Sequence, residues 1–378
     1  MVEALANLAR TQPGRERITD SDLVQRIGAG LWSTGDHSTA VQVCRLGGNL
    51  CFDSPAGRTL VLQADILNKL AGTVAALDTE DTSKLWLVLP SFLHNFCHDN
   101  LHCLHSVTDI SSVLATHFSS VSLHQNLEAA AENYLGWLSG LQDHEDRLGL
   151  YSKPEVVTSL LHLLQVLQAG ETLQTVLQFL QETLESEELS SAYADHDVVE
   201  TLLKISTTTD EETASLSLDV LVLLSSHSSV LSRVLSPCSS CLLWTSLLSW
   251  LASPPSSHHL ASAALLCGNM CTSSAACMQV METAAPAYII GQLDDNNAGK
   301  VLHAVLGCLR NLAVCEAARE RLLQLSLAEK TSDLLVSLSR GRDHTVTPKL
   351  MSTLRLVSQN SPQTCAQLGT NTELLRGQ

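Results

Sequence analysis

The sequence is short of aromatic residues. They make up only 4% of the 378 residues, whereas hydrophobic residues as a whole make up 45%. Sheets favour β-branched and aromatic side chains, so a chain rich in Leu, Ala, Val and Ser indicates packed helices instead. Its length exceeds what one compact core usually supports, so we expect two or three domains or one elongated array.

Basic charge is also scarce. There are 22 Lys and Arg against 39 Asp and Glu, for a formal net charge of −17. Phosphate binding needs a basic surface, so this balance argues against nucleic acid as a partner. The acidic excess is concentrated between Leu141 and Val220, where 16 acidic residues stand against 3 basic ones. This stretch is interpreted either as a solvated face or as a docking surface for a basic partner.

Long apolar runs are missing as well. No run approaches the roughly 18 apolar residues of a membrane-spanning helix. The N-terminal stretch MVEALANLARTQPGRER has no apolar run of signal-peptide length. We therefore expect a cytoplasmic protein that does not insert into membranes. In that compartment the 12 cysteines would be reduced thiols that serve as small core residues.

Motifs of catalysis and metal binding are weak or missing. The chain has no glycine-rich phosphate loop, G-x-S-x-G elbow or H-E-x-x-H motif. The stretch HNFCHDNLHCLH, which starts at His94, is rich in His and Cys, but an expected break at Asp99 and Asn100 separates its side chains. Cys238 and Cys241 form a single C-x-x-C, which is a weak signal. We predict no catalytic residue, no cofactor and no metal site.

The chain does contain an internal repeat. Its copies share an apolar helix with small residues that ends at an Asn, then a short polar break, then a second helix. Clear copies are VQVCRLGGNLCFDSPAGRTLVLQADIL (Val41–Leu67), LASAALLCGNMCTSSAACMQVMETAAP (Leu260–Pro286) and LHAVLGCLRNLAVCEAARERLLQLSLA (Leu302–Ala328). Weaker copies are Leu85–Val107 and Leu350–Thr370, the last of which has Arg in place of Asn.

The spacing of the matching residues identifies the kind of repeat. Asn49 and Asn95 are 46 residues apart, Asn269 and Asn311 are 42 apart, and Asn311 and Arg355 are 44 apart. Repeats of roughly 40–47 residues are typical of armadillo and HEAT proteins. The sequence therefore predicts an all-α, armadillo-repeat, right-handed superhelical solenoid.

Units of such a solenoid cannot bury their apolar faces alone, so they stack on one another. We expect a single array over residues 1–378, of about eight to nine units, with the first and last units incomplete. Within the clearest unit, apolar residues at Val301, Val305 and Leu309 recur at helical spacing. They are predicted to form the core stripe of the unit's third helix.

The recurrent asparagines are the candidate binding residues. In an armadillo unit the third helix lines the groove, so we place Asn49, Asn95, Asn269 and Asn311 on the groove floor. A carboxamide has two N–H donors and an acceptor oxygen, which can hold the backbone of a partner. The alternative is that each Asn caps its helix or bonds a neighbouring segment, and both uses can coexist.

Four stretches resemble the small GTPase GDP-dissociation stimulator family, in that family's order and at similar separations. They are CRLGGNLCFDSPAGRTLVLQA (Cys44–Ala64), SLLSWLASPPSSHHLASAALLCGNMC (Ser246–Cys271), LGCLRNLAV (Leu306–Val314) and STLRLVSQNSPQTCAQLGTN (Ser352–Asn371). The resemblance implies a non-enzymatic armadillo protein that grips Rho- and Ras-family GTPases with basic, often prenylated tails. Such a protein promotes GDP release or escorts the GTPase to membranes. The groove residues that the resemblance implies are Asn49, Asn95, Asn269, Asn311 and Arg355. We expect it to be a monomer.

The acidic stretch fits a basic tail of this kind. Its candidate docking residues form three clusters: Glu185, Glu187 and Glu188; Asp195, Asp197 and Glu200; and Asp210, Glu211 and Glu212. The chain departs from the family where another groove Asn would stand: it has LGWLSGL, which contains Trp137. It also ends before the family's last repeats.

Two other functions remain open. A nuclear-import adaptor is an armadillo reader of basic peptides, but its groove pairs each Asn with a Trp four residues earlier. Here those positions hold Arg45, Ser91, Leu265 and Gly307. A non-catalytic scaffold for another helical or peptide partner needs no such Trp array.

Overall fold

The computed structural model describes most of the chain: residues 1–30, 36–76, 83–98, 104–120, 127–141, 147–194, 198–227, 231, 240–294, 297, 299–340 and 346–359. Every regular element in these ranges is an α-helix, and none is a strand. The prediction of an all-α armadillo-repeat solenoid is confirmed. Within the same ranges no helix is long and apolar enough to cross a membrane.

The chain divides into two compact units, Met1–His196 and Asp197–Gln378. The helices of the first unit are α1 (Val2–Leu8), α2 (Gln12–Thr19), α3 (Leu23–Gly30), α4 (His37–Cys51), α5 (Pro55–Gln63), α6 (Ile66–Ala75), α7 (Ser83–Cys97), α8 (Leu104–Ser120), α9 (Leu127–Ser139), α10 (Arg147–Tyr151), α11 (Pro154–Val166), α12 (Glu171–Thr183) and α13 (Glu187–Ala194). The prediction of a single array over residues 1–378 stays a prediction.

The second unit continues the same pattern of helices. Its described helices are α14 (Val199–Ile205), α15 (Glu211–Leu224), α16 (Ser240–Ala252), α17 (Ser257–Met270), α18 (Ser274–Met281), α19 (Ala285–Gly291), α20 (Gly299–Val314), α21 (Glu316–Gln324), α22 (Leu327–Arg340) and α23 (Thr347–Ser358).

Within each unit, equivalent helices of successive repeats pack side by side. The third helices of the first unit, α1, α4, α7, α9 and α12, form one row, and the second helices α6, α8 and α11 form another. In the second unit the third helices α15, α17, α20 and α23 form a row, beside the second helices α14, α16 and α19. The core lies between these rows, as expected when each repeat buries its apolar face against its neighbours.

The predicted core stripe of α20 is confirmed, because Val301, Val305 and Leu309 are all buried. Cysteines also serve the core as predicted. The eight described cysteines are free thiols, and all except Cys271 are buried. Burial raises the pKa of Cys267 to about 12, so this thiol stays protonated and acts as a small apolar side chain.

A tight connection leads from the third helix α4 to α5. After α4, Ser54 accepts a hydrogen bond from the Gly57 amide at 3.1 Å, and Pro55 occupies the first turn of α5. These are standard N-terminal helix signals. A Cβ atom on Gly57 would lie 2.0 Å from the carbonyl oxygen of Leu50. Only glycine therefore lets α5 begin so close to the end of α4.

We predict that Gly57→Ala destabilises the protein by about 1–3 kcal/mol, the usual cost of overpacking a site that cannot relax. The matched control is Gly72→Ala in α6, where no atom lies within 4 Å of the added Cβ. This control should stabilise the protein by about 0.4–1 kcal/mol, because it restricts the unfolded chain. Urea unfolding would measure both changes, and equal midpoints for the two variants would contradict the steric argument.

Candidate binding face

One position recurs near the end of every third helix, at spacings of 41 to 46 residues. We call these residues rungs. They are Asn7, Asn49, Asn95, Gly136 and Glu182 in the first unit, and Leu223, Asn269, Asn311 and Arg355 in the second. The residue four positions before a rung lies on the same side of its helix, because 3.6 residues make one turn. We call this side of the third helices the ladder face.

In the first unit, rung asparagines tie neighbouring third helices together. The Nδ2 of Asn49 donates a hydrogen bond to the carbonyl oxygen of Ala6 on α1 at 2.9 Å. The Nδ2 of Asn95 donates to the carbonyl oxygen of Gly48 on α4 at 3.1 Å. Each acceptor immediately precedes the rung of the previous repeat. The asparagine side chain therefore fixes the register between one third helix and the next.

The second unit repeats this arrangement. The Nδ2 of Asn311 donates to the carbonyl oxygen of Gly268 at 3.1 Å. The Nδ2 of Asn269 donates to the carbonyl oxygen of Val222 at 3.3 Å and to the Ser225 hydroxyl at 2.7 Å. The alternative that the asparagines bond a neighbouring segment thus describes these contacts.

Glycine next to the rung permits the contact. A Cβ on Gly268 would lie 3.2 Å from the Cα of Cys308, which is closer than most side-chain contacts. The backbones of α17 and α20 therefore approach closely at this point. Because of this approach, the short side chain of Asn311 spans the gap to a backbone carbonyl.

The hydrogen bonds between third helices leave the oxygen atoms of the rung asparagines available to accept from a partner. In Asn49, Asn95, Asn269 and Asn311 the Nδ2 atom makes the hydrogen bond, and Oδ1 accepts none from the described residues. Asn49, Asn95 and Asn269 are half-buried and Asn311 is exposed. The carboxamides can therefore hold the helices together and still accept an N–H from a partner.

The departure at Trp137 has a structural explanation. Trp137 follows the rung Gly136 and is fully buried, so it is a core residue. Asn133, three residues before the rung, takes over the bonding. Its Nδ2 donates to the carbonyl oxygen of Leu87 at 3.4 Å, and Ser91 donates to its Oδ1 at 3.2 Å. Sequence reasoning missed Asn133 because it is displaced by almost one turn from the regular spacing.

Arg355 stands at a rung position but does not tie the helices. Its side chain is exposed and makes no hydrogen bond or ion pair with a described residue. Thr353 reaches α20 instead, where its hydroxyl lies 3.5 Å from the carbonyl oxygen of Leu306. The guanidinium of Arg355 therefore remains a charge on the surface.

The first acidic clusters lie partly outside the described residues. Glu185 follows the end of α12 and Glu188 lies on α13, and both side chains are exposed. The side chain of Glu187 and the whole of Asp195 and Asp197 lie outside the described residues. Glu185 and Glu188 thus belong to the first unit but not to its row of third helices.

The remaining predicted acidic residues lie in the second unit. Glu200 is exposed on α14, a second helix. Asp210 precedes α15 and accepts a hydrogen bond from the Thr213 hydroxyl. Glu211 and Glu212 are exposed in the first turn of α15, where negative charge stabilises the helix dipole. Three of these carboxylates therefore have a local structural use as well.

The ladder face of the first unit has carboxylates that the sequence reasoning did not single out. Glu128 and Glu132 lie eight and four residues before the rung Gly136 on α9, and Glu182 is the rung of α12. All three side chains are exposed, and neither helix contains Lys or Arg. The Thr172 hydroxyl donates to Oε1 of Glu132 at 3.1 Å. Glu182 also lines the pocket that contains Arg147 and Tyr151.

The described residues offer candidate metal ligands and a pocket. In the part of the chain that the structure describes, no group of three His, Cys, Asp or Glu side chains could hold a metal ion. His94 and His98 stack with ring centroids 6.2 Å apart. Cys238 and the side chain of Cys241 lie outside the described residues. A pocket of about 310 Å³ in the first unit has a mixed polar and apolar lining that includes Tyr151 and Phe179.

No model of a known protein family matches the chain. Individual proteins of known function do match it. The chain is similar over 98% of its length to Rap1 GTPase-GDP dissociation stimulator 1-B of Xenopus laevis, at 24% identity. It is similar over the same share to Rap1 GTPase-GDP dissociation stimulator 1-A of the same organism, at 23% identity. The chain spans about 62% of the length of each of these relatives.

Solved structures with a similar fold include engineered proteins and designed armadillo repeat proteins. One engineered protein matches 98% of this chain and 87% of its own, with a TM-score of 0.59 and 16% identity. A designed armadillo repeat protein, solved in complex with the peptide (KR)4, matches 64% of this chain and 98% of its own. Its TM-score is 0.52 and its identity 12%. At these identities the likeness extends to the fold alone.

An ion pair also joins third helices of the second unit. His258 Nε2 on α17 and Asp219 Oδ1 on α15 lie 3.0 Å apart. The hydrogen bond to Asp219 raises the pKa of His258 above the usual 6.5, against the opposing effect of burial. Both side chains are 36% exposed, so solvent screens the pair and its contribution to stability is small.

We predict that Asn311→Ala lowers the free energy of unfolding by about 1 kcal/mol, because the carbonyl of Gly268 loses its carboxamide donor. Gln279→Ala is the matched control, since Gln279 is an exposed carboxamide on α18 with no side-chain bond to a described residue. Urea unfolding of both variants measures the difference. If the two variants unfold at the same urea concentration, the hydrogen bond contributes nothing.

We also predict a weak pH dependence from His258. A raised histidine pKa contributes stability that is fully present below the ordinary value and is lost as pH rises through the raised one. The native chain should therefore lose more free energy of unfolding between about pH 6 and pH 8 than Asp219→Asn, by a few tenths of a kcal/mol. Parallel pH profiles for the two proteins would show that the pair is not linked to folding.

Proposed function

We propose that this protein binds Rho- and Ras-family small GTPases that carry basic, often prenylated tails. It promotes GDP release or escorts the GTPase to membranes, acts in the cytoplasm as a monomer, and is not an enzyme. The observation that carries the proposal is the similarity along 98% of the chain to a Rap1 GTPase-GDP dissociation stimulator. The ladder face supplies the groups that such binding needs.

Carboxylates of the first unit provide a docking place for a basic tail. Glu128, Glu132 and Glu182 project from two adjacent third helices that carry no positive charge. Lys and Arg side chains would be attracted to them over about 8 Å at physiological salt. Exposed Glu185 and Glu188 extend the negative charge beyond the end of α12.

Rung asparagines complement this charge. The free Oδ1 atoms of Asn49 and Asn95 can accept backbone N–H groups from an extended tail. A buried hydrogen bond of this kind gives register and specificity, whereas surface charge mainly speeds association. In the second unit, Asn269 and Asn311 offer the same acceptor oxygens to the body of the GTPase.

The alternatives make different use of the same face. A nuclear-import adaptor would need Trp four residues before each Asn, where Arg45, Ser91, Leu265 and Gly307 stand. A scaffold for another helical or peptide partner needs no preference for GTPases. Binding to a purified GTPase with a basic tail separates the proposal from both.

We predict that the variant Glu128→Gln, Glu132→Gln, Glu182→Gln associates about tenfold more slowly with a basic-tailed GTPase at low salt, because electrostatic attraction acts mainly on the association rate. A GTPase whose tail Lys and Arg are changed to Gln should bind both proteins equally. Stopped-flow or surface-based kinetics at low and high salt would measure the rates.

The matched control removes the same charge elsewhere. Glu320→Gln, Glu329→Gln, Asp333→Asn changes three exposed acids on α21 and α22, outside the row of third helices. It should leave the association rate within about twofold of the native rate, since these acids lie on helices outside the row that is proposed to hold the tail. Equal slowing in both variants would mean that net charge alone governs association.

A third variant distinguishes the acidic residues of the first unit from those of the second. It neutralises three exposed glutamates of the second unit that the sequence predicted as docking residues: Glu200→Gln, Glu211→Gln, Glu212→Gln. If this variant slows association and the ladder-face variant does not, the tail docks on the second unit. Comparing prenylated with unmodified GTPase, and following release of labelled GDP, tests the lipid and exchange parts of the proposal. Binding to no basic-tailed GTPase in either form would refute the proposal.

A further inference from the structure

The ladder face of the second unit ends in a cluster of positive charge. Helices α20 and α23 carry four cationic side chains, Lys300, Arg310, Lys349 and Arg355, and contain no Asp or Glu. The neighbouring third helix α17 has neither acidic residues nor Lys or Arg. The chain as a whole has a net charge of −17, so the positive charge of these two helices is opposite in sign to that of the chain.

The side chain of Lys349, on α23, reaches across to the neighbouring helix α20. Its Nζ atom is hydrogen-bonded to Nε2 of His303 and lies 3.4 Å from the carbonyl oxygen of that residue. A Cβ on Gly307 would lie 3.5 Å from Nζ, so the missing side chain of Gly307 leaves room for the ammonium group. The lysine is thus positioned by α20 and does not move freely in solvent.

The charges of this cluster are not neutralised. Lys349, Arg310 and Arg355 form no ion pair with a described residue. Burial and the nearby Arg310 lower the pKa of Lys349, and burial and Lys349 lower the pKa of His303. Like charges are held close together, and an approaching carboxylate would relieve their repulsion.

Exposed apolar side chains flank the cations. Leu265 on α17 is 37% exposed and Met351 on α23 is 50% exposed, and each lies four residues before its rung. Gly307 occupies the equivalent position on α20 between them. The second-unit ladder face thus combines cations, two apolar side chains and the free Oδ1 atoms of Asn269 and Asn311.

We propose that the ladder face formed by α17, α20 and α23 binds an extended acidic segment of a partner protein. Carboxylates of the segment contact Lys349, Arg310 and Arg355, and its apolar side chains pack on Leu265 and Met351. Charge complementarity selects this occupant, because a basic tail would be repelled by the same residues. The site is separate from the tail-docking face of the first unit and does not depend on the proposed GTPase function.

The spacing of the helices suggests a suitable probe. Neighbouring packed helices are about 10 Å apart, so Leu265 and Met351, two helices apart, require apolar residues about six positions apart in an extended segment that rises about 3.3 Å per residue. The probe is a fluorescent peptide of about 14 residues, with two Leu six positions apart among Glu and Asp. One control peptide replaces its acids by Lys, and another replaces its Leu by Ser.

The test uses the full chain and fluorescence anisotropy. We expect the acidic peptide to bind the native protein and the Lys peptide not to bind this face. Arg310→Glu, Arg355→Glu should weaken acidic-peptide binding at least about tenfold at low salt, the size of two lost surface ion pairs. Both side chains are exposed and make no hydrogen bond or ion pair with a described residue. This variant should therefore fold normally, which its melting temperature checks.

The matched control has the same change in charge on other helices. Arg321→Glu, Lys330→Glu alters two exposed cations on α21 and α22. It should leave the affinity within about twofold at physiological salt, where charges more than about 8 Å away are screened. Lys349→Ala should weaken binding as well, with His303→Gln as a check that its effect is not structural. The Ser peptide should bind more weakly than the Leu peptide.

Three results would each overturn the proposal. The acidic peptide does not bind the native protein detectably. The double variant Arg310→Glu, Arg355→Glu binds it with unchanged affinity, or the control Arg321→Glu, Lys330→Glu loses as much affinity as that double variant. Analytical ultracentrifugation adds a further outcome. If the native chain is a dimer that Arg310→Glu, Arg355→Glu dissociates, a second copy of this chain occupies the face and the partner segment does not.

Discussion

A carboxamide that donates to a backbone carbonyl one repeat earlier is the contact on which the arrangement of the third helices depends. It requires a short polar side chain near the end of one helix and a close neighbour in the preceding repeat. Asn95 meets Gly48, and Asn311 meets Gly268, in this way. The contact holds one helix in register with the next, and that register sets which side chains reach the surface together.

The same contact leaves binding chemistry available on the ladder face. Because each asparagine uses its N–H toward the neighbouring helix, its oxygen remains free to accept from another chain. Stability and recognition therefore share one side chain without competing for one atom. A variant at such a position changes both, which is why binding experiments on the ladder need a parallel measurement of unfolding.

Charge is distributed by helix within each unit. In the first unit, α9 and α12 present only carboxylates on the ladder face. In the second unit, α20 and α23 present only cations, while Asp219 of α15 is paired with His258. Net charge describes neither surface, since a value of −17 for the whole chain hides a locally basic face. Partners of opposite sign can therefore be accommodated at different helices.

The sequence by itself determined the helical class, the repeat length and the asparagines that mark several of the repeats, because helical periodicity and recurrence along the chain are local properties. It also indicated cysteines as core residues. Only the tertiary structure decided that Asn311 bonds Gly268 and that Trp137 is buried beside the rung Gly136. It also decided that the Arg355 side chain bonds none of the described residues. It alone placed Glu132 beside Thr172 and Arg310 near Lys349, because the members of each pair are about 40 positions apart and meet only when neighbouring repeats pack.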